Sequence, residues 1–551
     1  MKSTLRGADI VAESLARLGR RPIFTLSGNH IMSIFDAALD HDLELIHTRH
    51  EASAVHMADA WGRLTGEPGI AMVTGGPGHA NAVGALFTAL SAESPMVLLS
   101  GHAATWELGR GGFQEIRQAE MAAPVSKASW MARSADSLGE DLAEAMRIAA
   151  SGRPGPVHLS LPSDLLDEEV ESNRVRWPDA AKIAPVPIPL ADGIADTVLA
   201  AIGRAKRPVI LAGPLLSSVK GRTLLRRLED ATGAPTAVIE SPRGANDATL
   251  GAFSEVVRQA DLIVLLGKAL DFTVKWATGP GFAPDVRVIA IDPDGALIAR
   301  AAAEKGASLE LGCVADPFAA GETLIARSAK GGKRDSGWLA SARALITDRP
   351  DYLTTAKSST TDRLHGAEVF KVLRPYVEKD PDTVLICDGG EFAQWGQSLL
   401  PVKRRLINSV AGAIGSGIPA AIAARRAEPK APVIAVMGDG TFGFHMAEFD
   451  TAVRHGLPFL AIVGNDACWN AESQIQKRDY GAGRMHGCAL LPTRYDQVVV
   501  AMGGHGENVE KVGELQGAIE RGMAAVAAGK PACINIMAES IGSPVIRKTG
   551  G

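Results

Sequence analysis

The sequence predicts an α/β protein of three doubly wound parallel-sheet domains, and three observations predict it. Short apolar runs alternate with helical patterns along nearly the whole chain, as in consecutive strand–helix units. The runs are apolar throughout rather than at every second residue, the pattern of strands covered on both faces. The length, 551 residues, makes room for about three cores at roughly 100 to 200 residues per domain.

In the first domain, expected over residues 1–175, the N-terminal MKSTLRGADIVAESLARLG reads as an amphipathic helix and not as a signal peptide. PIFTLS (22–27), LELIHT, GIAMVTGG and PMVLLSG read as strands, with HIMSIFDAALDHD, EASAVHMADAWGRLTG and HANAVGALFTALSAE as the helices between them. Residues 174–192 are proline-rich and aperiodic, the mark of a linker. A central domain, expected over 190–328, carries RPVILAG (207–213), DLIVLLG (261–267) and VRVIAIDPD (286–294) as strands. The polar stretch 326–337 reads as a second linker. The third domain, expected over 360–551, resumes the rhythm with DTVLICDGG, FAQWGQSLLP, AGAIGSGIPAAIAARRAEP, PVIAVMGDG, FGFHMAEFDTAVRHG, PFLAIVGND, a helix near 511–528 and PACINIMAES. The first and third domains share an order of elements without repeated sequence.

Composition narrows the function. With 46% hydrophobic and 22% charged residues the chain is neither disordered nor fibrous. A net charge of −5 without blocks of like charge is a poor match to a nucleic acid partner. No apolar run approaches the roughly 18 residues of a membrane span, so a soluble cytoplasmic protein is expected. Five cysteines without a CxxC pair point to reduced thiols and not to zinc or disulfides.

Chemistry concentrates at strand ends. Gly438-Asp439-Gly440 lies where an apolar strand gives way to a helix, a place that favours phosphate. The next strand ends in Asn465-Asp466, and carboxylate, amide and carbonyl oxygens with phosphate are what Mg²⁺ prefers. A simple turn is the alternative. Glu51 opens a helix at another strand end, either as a charge on the helix dipole or as part of a pocket with the glycine-rich edge Thr74-Gly75-Gly76-Pro77-Gly78-His79-Ala80-Asn81.

RHEASAVHMADAWGRLTG, TGGPGHAN, FQEIRQAEMAAPVSK (113–127), the AGAIGSG loop and GDG followed by Asn-Asp together resemble the thiamine diphosphate-dependent superfamily of acetolactate synthases, benzaldehyde lyase, oxalyl-CoA decarboxylase and 2-hydroxyacyl-CoA lyases. The resemblance covers essentially the whole chain and implies pyrimidine-binding, central and diphosphate-binding domains in that order. It implies that Glu51 hydrogen-bonds N1′ of the cofactor's aminopyrimidine, so that the 4′ nitrogen removes the thiazolium C2 proton. Ile414 matches the bulky residue that props the cofactor in its bent shape, and the Gly412 carbonyl would accept from the 4′ amino group. Thr74, Asn81, Gly389, Gly390, Glu391, Gly438, Gly440 and Thr441 are the remaining implied cofactor contacts. Asp439, Asp466 and the Cys468 carbonyl match the Mg²⁺ ligands. The family usually has Asn-Asn where this chain has Asn465-Asp466, which leaves either residue as the ligand.

Gln114 matches a glutamine that points into the active site, and His30 matches a histidine able to shuttle protons at the substrate hydroxyl. A homodimer or homotetramer with the active site between subunits follows from the resemblance. Thr493-Arg494-Tyr495-Asp496 resembles the CoA-dependent branch, and Lys403-Arg404-Arg405 stands where that branch has a basic cluster near CoA. Asn29-His30 in place of an isoleucine-proline pair favours a hydroxyl-bearing substrate. The expected activity is therefore cleavage of a 2-hydroxyacyl-CoA to an aldehyde or ketone plus formyl-CoA. An acetolactate-synthase-like or benzaldehyde-lyase-like carboligase is the alternative, and a non-catalytic scaffold is a further one. A nicotinamide dehydrogenase would need a GxGxxG after an early strand, which is absent. The central domain could host ADP or FAD, but SPRGAND (241–247) and GKALDF (267–272) assign neither, and packing between domains is the simpler reading.

Overall fold

A computed structural model describes residues 3–19, 22–328 and 337–546. Strand β1 (Thr4–Arg6) precedes the first sheet, which is built from β2 (Ile23–Thr25), β3 (Leu45–His47), β4 (Gly69–Val73), β5 (Met96–His102), β6 (Ala128–Met131) and β7 (Pro156–Pro162); β8 (Glu169–Glu171) follows and pairs antiparallel with β1. The central sheet comprises β9 (Pro208–Ala212), β10 (Thr236–Val238), β11 (Leu262–Leu266), β12 (Arg287–Asp292) and β13 (Leu309–Val314). The third comprises β14 (Val384–Asp388), β15 (Arg404–Ile407), β16 (Val433–Gly438), β17 (Leu460–Asn465), β18 (His505–Val509) and β19 (Ala532–Met537). All three sheets are parallel. Their orders are β3-β2-β4-β5-β7-β6, β10-β9-β11-β12-β13 and β15-β14-β16-β17-β19-β18. Counted from its own first strand, the third sheet repeats the order of the first, as the rhythm of the sequence predicted.

The strands that the apolar pattern did not reveal are mostly edge strands. β6, β10, β13, β15 and β18 each close one side of a sheet and keep partly exposed, polar residues such as Glu310 or Asn508. An edge strand has one neighbour and often one wet face, so it lacks the continuous apolar run of an interior strand. The N-terminal segment differs from expectation in the same way: Thr4–Arg6 is spent on pairing with β8 before the helix Gly7–Arg17 begins. Residues 329–336 of the second expected linker lie outside the described residues. The helix Gly337–Thr347 beyond them packs on the central domain, with Trp338 Nε1 donating to the Pro208 carbonyl at 2.9 Å.

The hydrophobic interior ignores the domain order. Helix Glu51–Thr65 of the first domain packs along helix Gly417–Ala427 of the third, and one continuous cluster runs from Phe24 and Ala58 to Ile418, Phe442 and Phe459. Charged residues tie the central domain to both others. Arg153 of the first domain donates to Glu93, to Asp292 at the end of β12 and to the Gly267 carbonyl. Glu240 accepts from Arg222 at 2.5 Å and from Arg405 at 2.6 Å. Burial alone would raise the Glu240 carboxyl, but Arg405 and Arg222 outweigh it and hold it down at about 2. The cysteines are free, and among the described residues no helix is long and apolar enough to cross a membrane.

Candidate active site

The first and third sheets each reverse direction twice, and the first reversal opens a crevice. From β2 the chain runs outward to β3 and returns on the other side of β2 as β4; β14, β15 and β16 do the same. Open parallel sheets bind ligands in the crevice outside such a switch point. The expected site residues gather at these two crevices.

At the first crevice, His30 follows β2 and Thr74 follows β4, and His30 Nδ1 lies 3.1 Å from the Thr74 hydroxyl. Burial holds the imidazole below its ordinary pKa and hence neutral. Gly28 leaves the room for this contact, since a Cβ there would sit 2.4 Å from Thr74 Cβ. Glu51 follows β3 at the start of its helix, and Oε2 accepts from the Asn81 amide at 3.1 Å. Gln114 adopts φ +59°, a strained conformation for a non-glycine residue of the kind that persists at functional sites. Its backbone presses on Gly76, where a Cβ would meet the Gln114 carbonyl oxygen at 2.5 Å.

Two supporting groups escaped the sequence reading. Glu115 accepts from the N–H groups of Gly109, Gly111 and Gly112 at 2.6, 3.2 and 3.1 Å and so shapes the loop that presents Gln114. Its signal was visible as a glycine-rich run ending in an acid. Gln118 accepts from Gly76 N at 2.9 Å and donates to Ser160 at 3.1 Å, holding the glycine edge from behind. Around it, His158 bonds Ser129 at 2.8 Å and His79 bonds Ser100 at 2.9 Å.

These imidazoles carry a pH dependence. Burial lowers His79 to about 4, His56 to about 3 and His158 well below its ordinary value. Above about pH 6.5 each is neutral both folded and unfolded and adds no slope. As pH falls below that value the unfolded chain takes up protons that the fold refuses, and stability drops until the folded pKa is reached. Urea unfolding at pH 5 is expected to lose about 2 kcal/mol, relative to pH 7.5, for each histidine that stays neutral. A flat profile between those values would show that the three rings are not held in their neutral form.

The second crevice is built from β14, β15 and β16. Asp388 Oδ2, at the end of β14, accepts from Gly417 N at 2.5 Å and Gly415 N at 3.0 Å, and burial pushes its carboxyl up to about 7. His445 Nδ1 meets the Gly415 carbonyl at 2.6 Å, so the turn after Ile414 is pinned from both sides. Ile414 is half-buried, unlike the fully buried isoleucines of the strands. It leans on Gly389, where a Cβ would lie 2.8 Å from Ile414 Cγ2 and 2.3 Å from the Thr441 hydroxyl. Gly389 (φ +56°) and Gly390 (φ +72°) open helix Gly390–Leu399 with no side-chain cap, which leaves its first N–H groups for an anion. Gly438 and Gly440 flank Asp439 at the start of the next helix, and the Trp469 ring covers Gly440. Gly412 is exposed and donates its N–H to the Ser409 carbonyl at 2.8 Å.

Asp439 and Asp466 are brought together there. Asp439 Oδ2 is buried without a hydrogen-bond partner. Both carboxyls are pushed up by burial first and, for Asp466, by the neighbouring Asp439. Two adjacent carboxylates with an orphan oxygen fit a divalent cation, which removes their repulsion and draws its other oxygens from phosphate and water. The backbone N–H of Cys468 faces the same two carboxylates. Asn465 stands apart: it is fully buried, with its amide donating to Thr493 O at 2.8 Å and Asn535 Oδ1 at 3.1 Å and accepting from Ala467 N. As the last residue of β17, Asn465 points into these partners, whereas Asp466 lies beside Asp439.

Glu391 is engaged by Arg243 of the central domain at 3.1 and 3.2 Å, which leaves its backbone, the part expected to hold the diphosphate, to face a cofactor. One further expectation changes. Of the basic run, Arg404 pairs with Glu428 at 2.7 Å and Arg405 is buried against Glu240, which leaves Lys403 as its exposed charge. Arg404 and Arg405 are residues of an edge strand, a constraint invisible in a run of three basic letters.

The sequence of each region is similar to a known domain type. Residues 5–121, 195–316 and 388–536 match the N-terminal binding, central and C-terminal binding domains of thiamine pyrophosphate enzymes. The chain is 31% identical over 546 residues to a probable acetolactate synthase of Mycobacterium bovis, covering 97% of this chain and 96% of that one. It is 29% identical to 2-hydroxyacyl-CoA lyase 2 of Danio rerio, over 97% and 92% of the two chains, and 28% identical to that of Homo sapiens, over 93% and 87%. With two matching crevices, an uncapped helix start for an anion, a carboxylate pair for a cation and all three domains in order, the chain belongs to the family of thiamine pyrophosphate enzymes.

Proposed function

We propose that the protein is a carbon–carbon lyase that cleaves a 2-hydroxyacyl-CoA to an aldehyde or ketone and formyl-CoA, reversibly. The observation that carries this reading is His30, a neutral, buried imidazole set on Thr74 at the first crevice. A neutral imidazole there is suited to take the proton of a substrate hydroxyl as the adjacent bond breaks.

Gly389, Gly390, Gly438, Gly440 and Thr441 would hold the diphosphate of the cofactor, with Mg²⁺ on Asp439, Asp466 and the Cys468 carbonyl. Thr74, Asn81 and the Gly412 carbonyl would face its pyrimidine. Thiamine diphosphate, when bound, supplies the electron sink for a carbanion next to a carbonyl. Glu51 would bond N1′ of the aminopyrimidine, with Asn81 fixing the orientation of Oε2. Ile414 fills the floor of the second crevice against Gly389, and Gln114 presents its side chain from the strained loop. In the assembled enzyme, a homodimer or homotetramer, the first crevice of one subunit would serve the second crevice of another.

For the CoA portion, a cavity of about 940 Å³ opens where the three domains meet, with Arg63, Lys220 and Lys403 on its walls. Gly62 to Pro68 also line it, at the far end of the helix that begins with Glu51. The cavity would equally suit ADP or FAD in the central domain, although Asp292 at the end of β12 is already engaged by Arg153.

A second reading, an acetolactate-synthase-like or benzaldehyde-lyase-like carboligase, is favoured by the loss of Arg404 and Arg405 to ion pairs. The purified enzyme with thiamine diphosphate and Mg²⁺ is expected to release formyl-CoA from a 2-hydroxyacyl-CoA. Acetolactate from pyruvate with no formyl-CoA would overturn the lyase reading in favour of the second.

A further inference from the structure

Helix Glu51–Thr65 starts at the interface between the first and third domains, and its start is held from the other side of that interface. The ring of the helix's own cap, His50, accepts from Ala52 N at 3.1 Å. The N–H groups of Arg49 and His50 immediately before it need acceptors as well. Glu448, the first residue of helix Glu448–Arg454 in the third domain, supplies them. Its two carboxylate oxygens accept from Arg49 N at 3.0 and 3.2 Å, and the His50 N–H faces the same carboxylate. Thr451 fixes the carboxylate with a 2.6 Å hydrogen bond, and the residue is 1% exposed.

The same short stretch of chain does two other things. It begins at Asp439 beside Asp466, and His445 within it holds the Gly415 carbonyl next to Ile414. Glu448 therefore joins the rigid wall of the diphosphate crevice to the two residues that precede Glu51.

We propose that Glu448 is a positioning residue for Glu51: through the backbone of Arg49 and His50 it sets where the Glu51 carboxyl group points. This rests on the reading of Glu51 as the group that bonds the pyrimidine. A carboxylate that must meet one nitrogen at hydrogen-bonding distance is sensitive to a shift of about 1 Å, which costs on the order of 10²-fold in a well-oriented step. Removing Glu448 takes away the acceptor that the backbone N–H groups before Glu51 face, and the segment relaxes to find others.

The test compares Glu448→Ala and Glu448→Gln with the wild-type holoenzyme by three measurements. Amide hydrogen exchange of the apoenzyme over residues 45–55, followed by mass spectrometry, reports the anchoring itself. Exchange of the C2 proton of bound thiamine diphosphate for deuterium reports the action of Glu51. Thiamine diphosphate affinity reports the second crevice. Glu448→Ala is expected to speed amide exchange and to slow C2 exchange and kcat by roughly 10- to 100-fold. Affinity and KM are expected to stay within about threefold. Glu448→Gln, which keeps one accepting oxygen, is expected to fall between. C2 exchange at the wild-type rate in the alanine variant would overturn the proposal. If that variant does not fold, wild-type amide and C2 exchange in Glu448→Gln would do so. Glu51→Ala serves as the separate control: if it left C2 exchange unchanged, the reading of Glu51 would fail whatever Glu448 does.

Discussion

Glu51→Ala is expected to lower turnover by roughly 10²- to 10⁴-fold while thiamine diphosphate still binds. The carboxyl group contributes nothing to the second crevice, where the glycine-flanked helix starts and the aspartate pair stand ready for the diphosphate and its cation. Its loss therefore separates chemistry from binding. Glu51→Gln sharpens the result, because it keeps an acceptor for Asn81 at the position of Oε2 but has no proton to exchange. Both variants should show the same deep loss in kcat, with cofactor affinity, followed by quenching of tryptophan fluorescence, within about threefold of wild type. Turnover that survives in either variant would mean that the proton is handled elsewhere.

Asp439→Ala is expected to act on the opposite quantity. Removing one carboxylate of a pair that shares a cation should weaken Mg²⁺-dependent retention of thiamine diphosphate by roughly 100-fold, so that activity returns only with a large excess of both. Wild-type protein has a matching pH signature. Both carboxyls are held up by burial and mutual repulsion, so the empty pair carries protons at pH values where ordinary carboxylates have lost theirs. A cation must displace them, and its affinity should rise with pH until the pair is fully ionised. In Asp439→Ala the repulsion on Asp466 is gone and the pH dependence should flatten. Equilibrium dialysis with Mg²⁺ and thiamine diphosphate reads both effects. An unaltered affinity in Asp439→Ala would move the cation away from the ends of β16 and β17.

Much of this was legible in the letters. The interior strands announce themselves as apolar runs, and Glu51, Thr74, Asp439 and Asp466 stand one to four residues beyond a strand end, so their convergence follows from the topology alone. Gly389 and Gly440 were equally readable, since nothing larger fits beside Ile414, Thr441 and Trp469. What stayed hidden depends on partners distant in sequence. Arg405 reads as a free charge until Glu240 is found 165 residues away. Nothing near Asn465 in the sequence points to Asn535, 70 residues on, to which its amide donates. Edge strands were hidden because half-exposure dilutes the pattern, and Glu448 because an acid in a helix looks like any solvated charge.

The apolar cluster shared by helices Glu51–Thr65 and Gly417–Ala427 makes the first and third domains a single cooperative unit, although 200 or more residues of chain lie between their sheets. The central domain has apolar clusters of its own, and ion pairs such as Arg153–Asp292 and Arg405–Glu240 tie it to its neighbours. Order along the polypeptide and order of packing thus differ: the two ends share one core, and the middle segment keeps its own. Unfolding of the middle segment is then expected to leave in place the seam on which Glu51 sits.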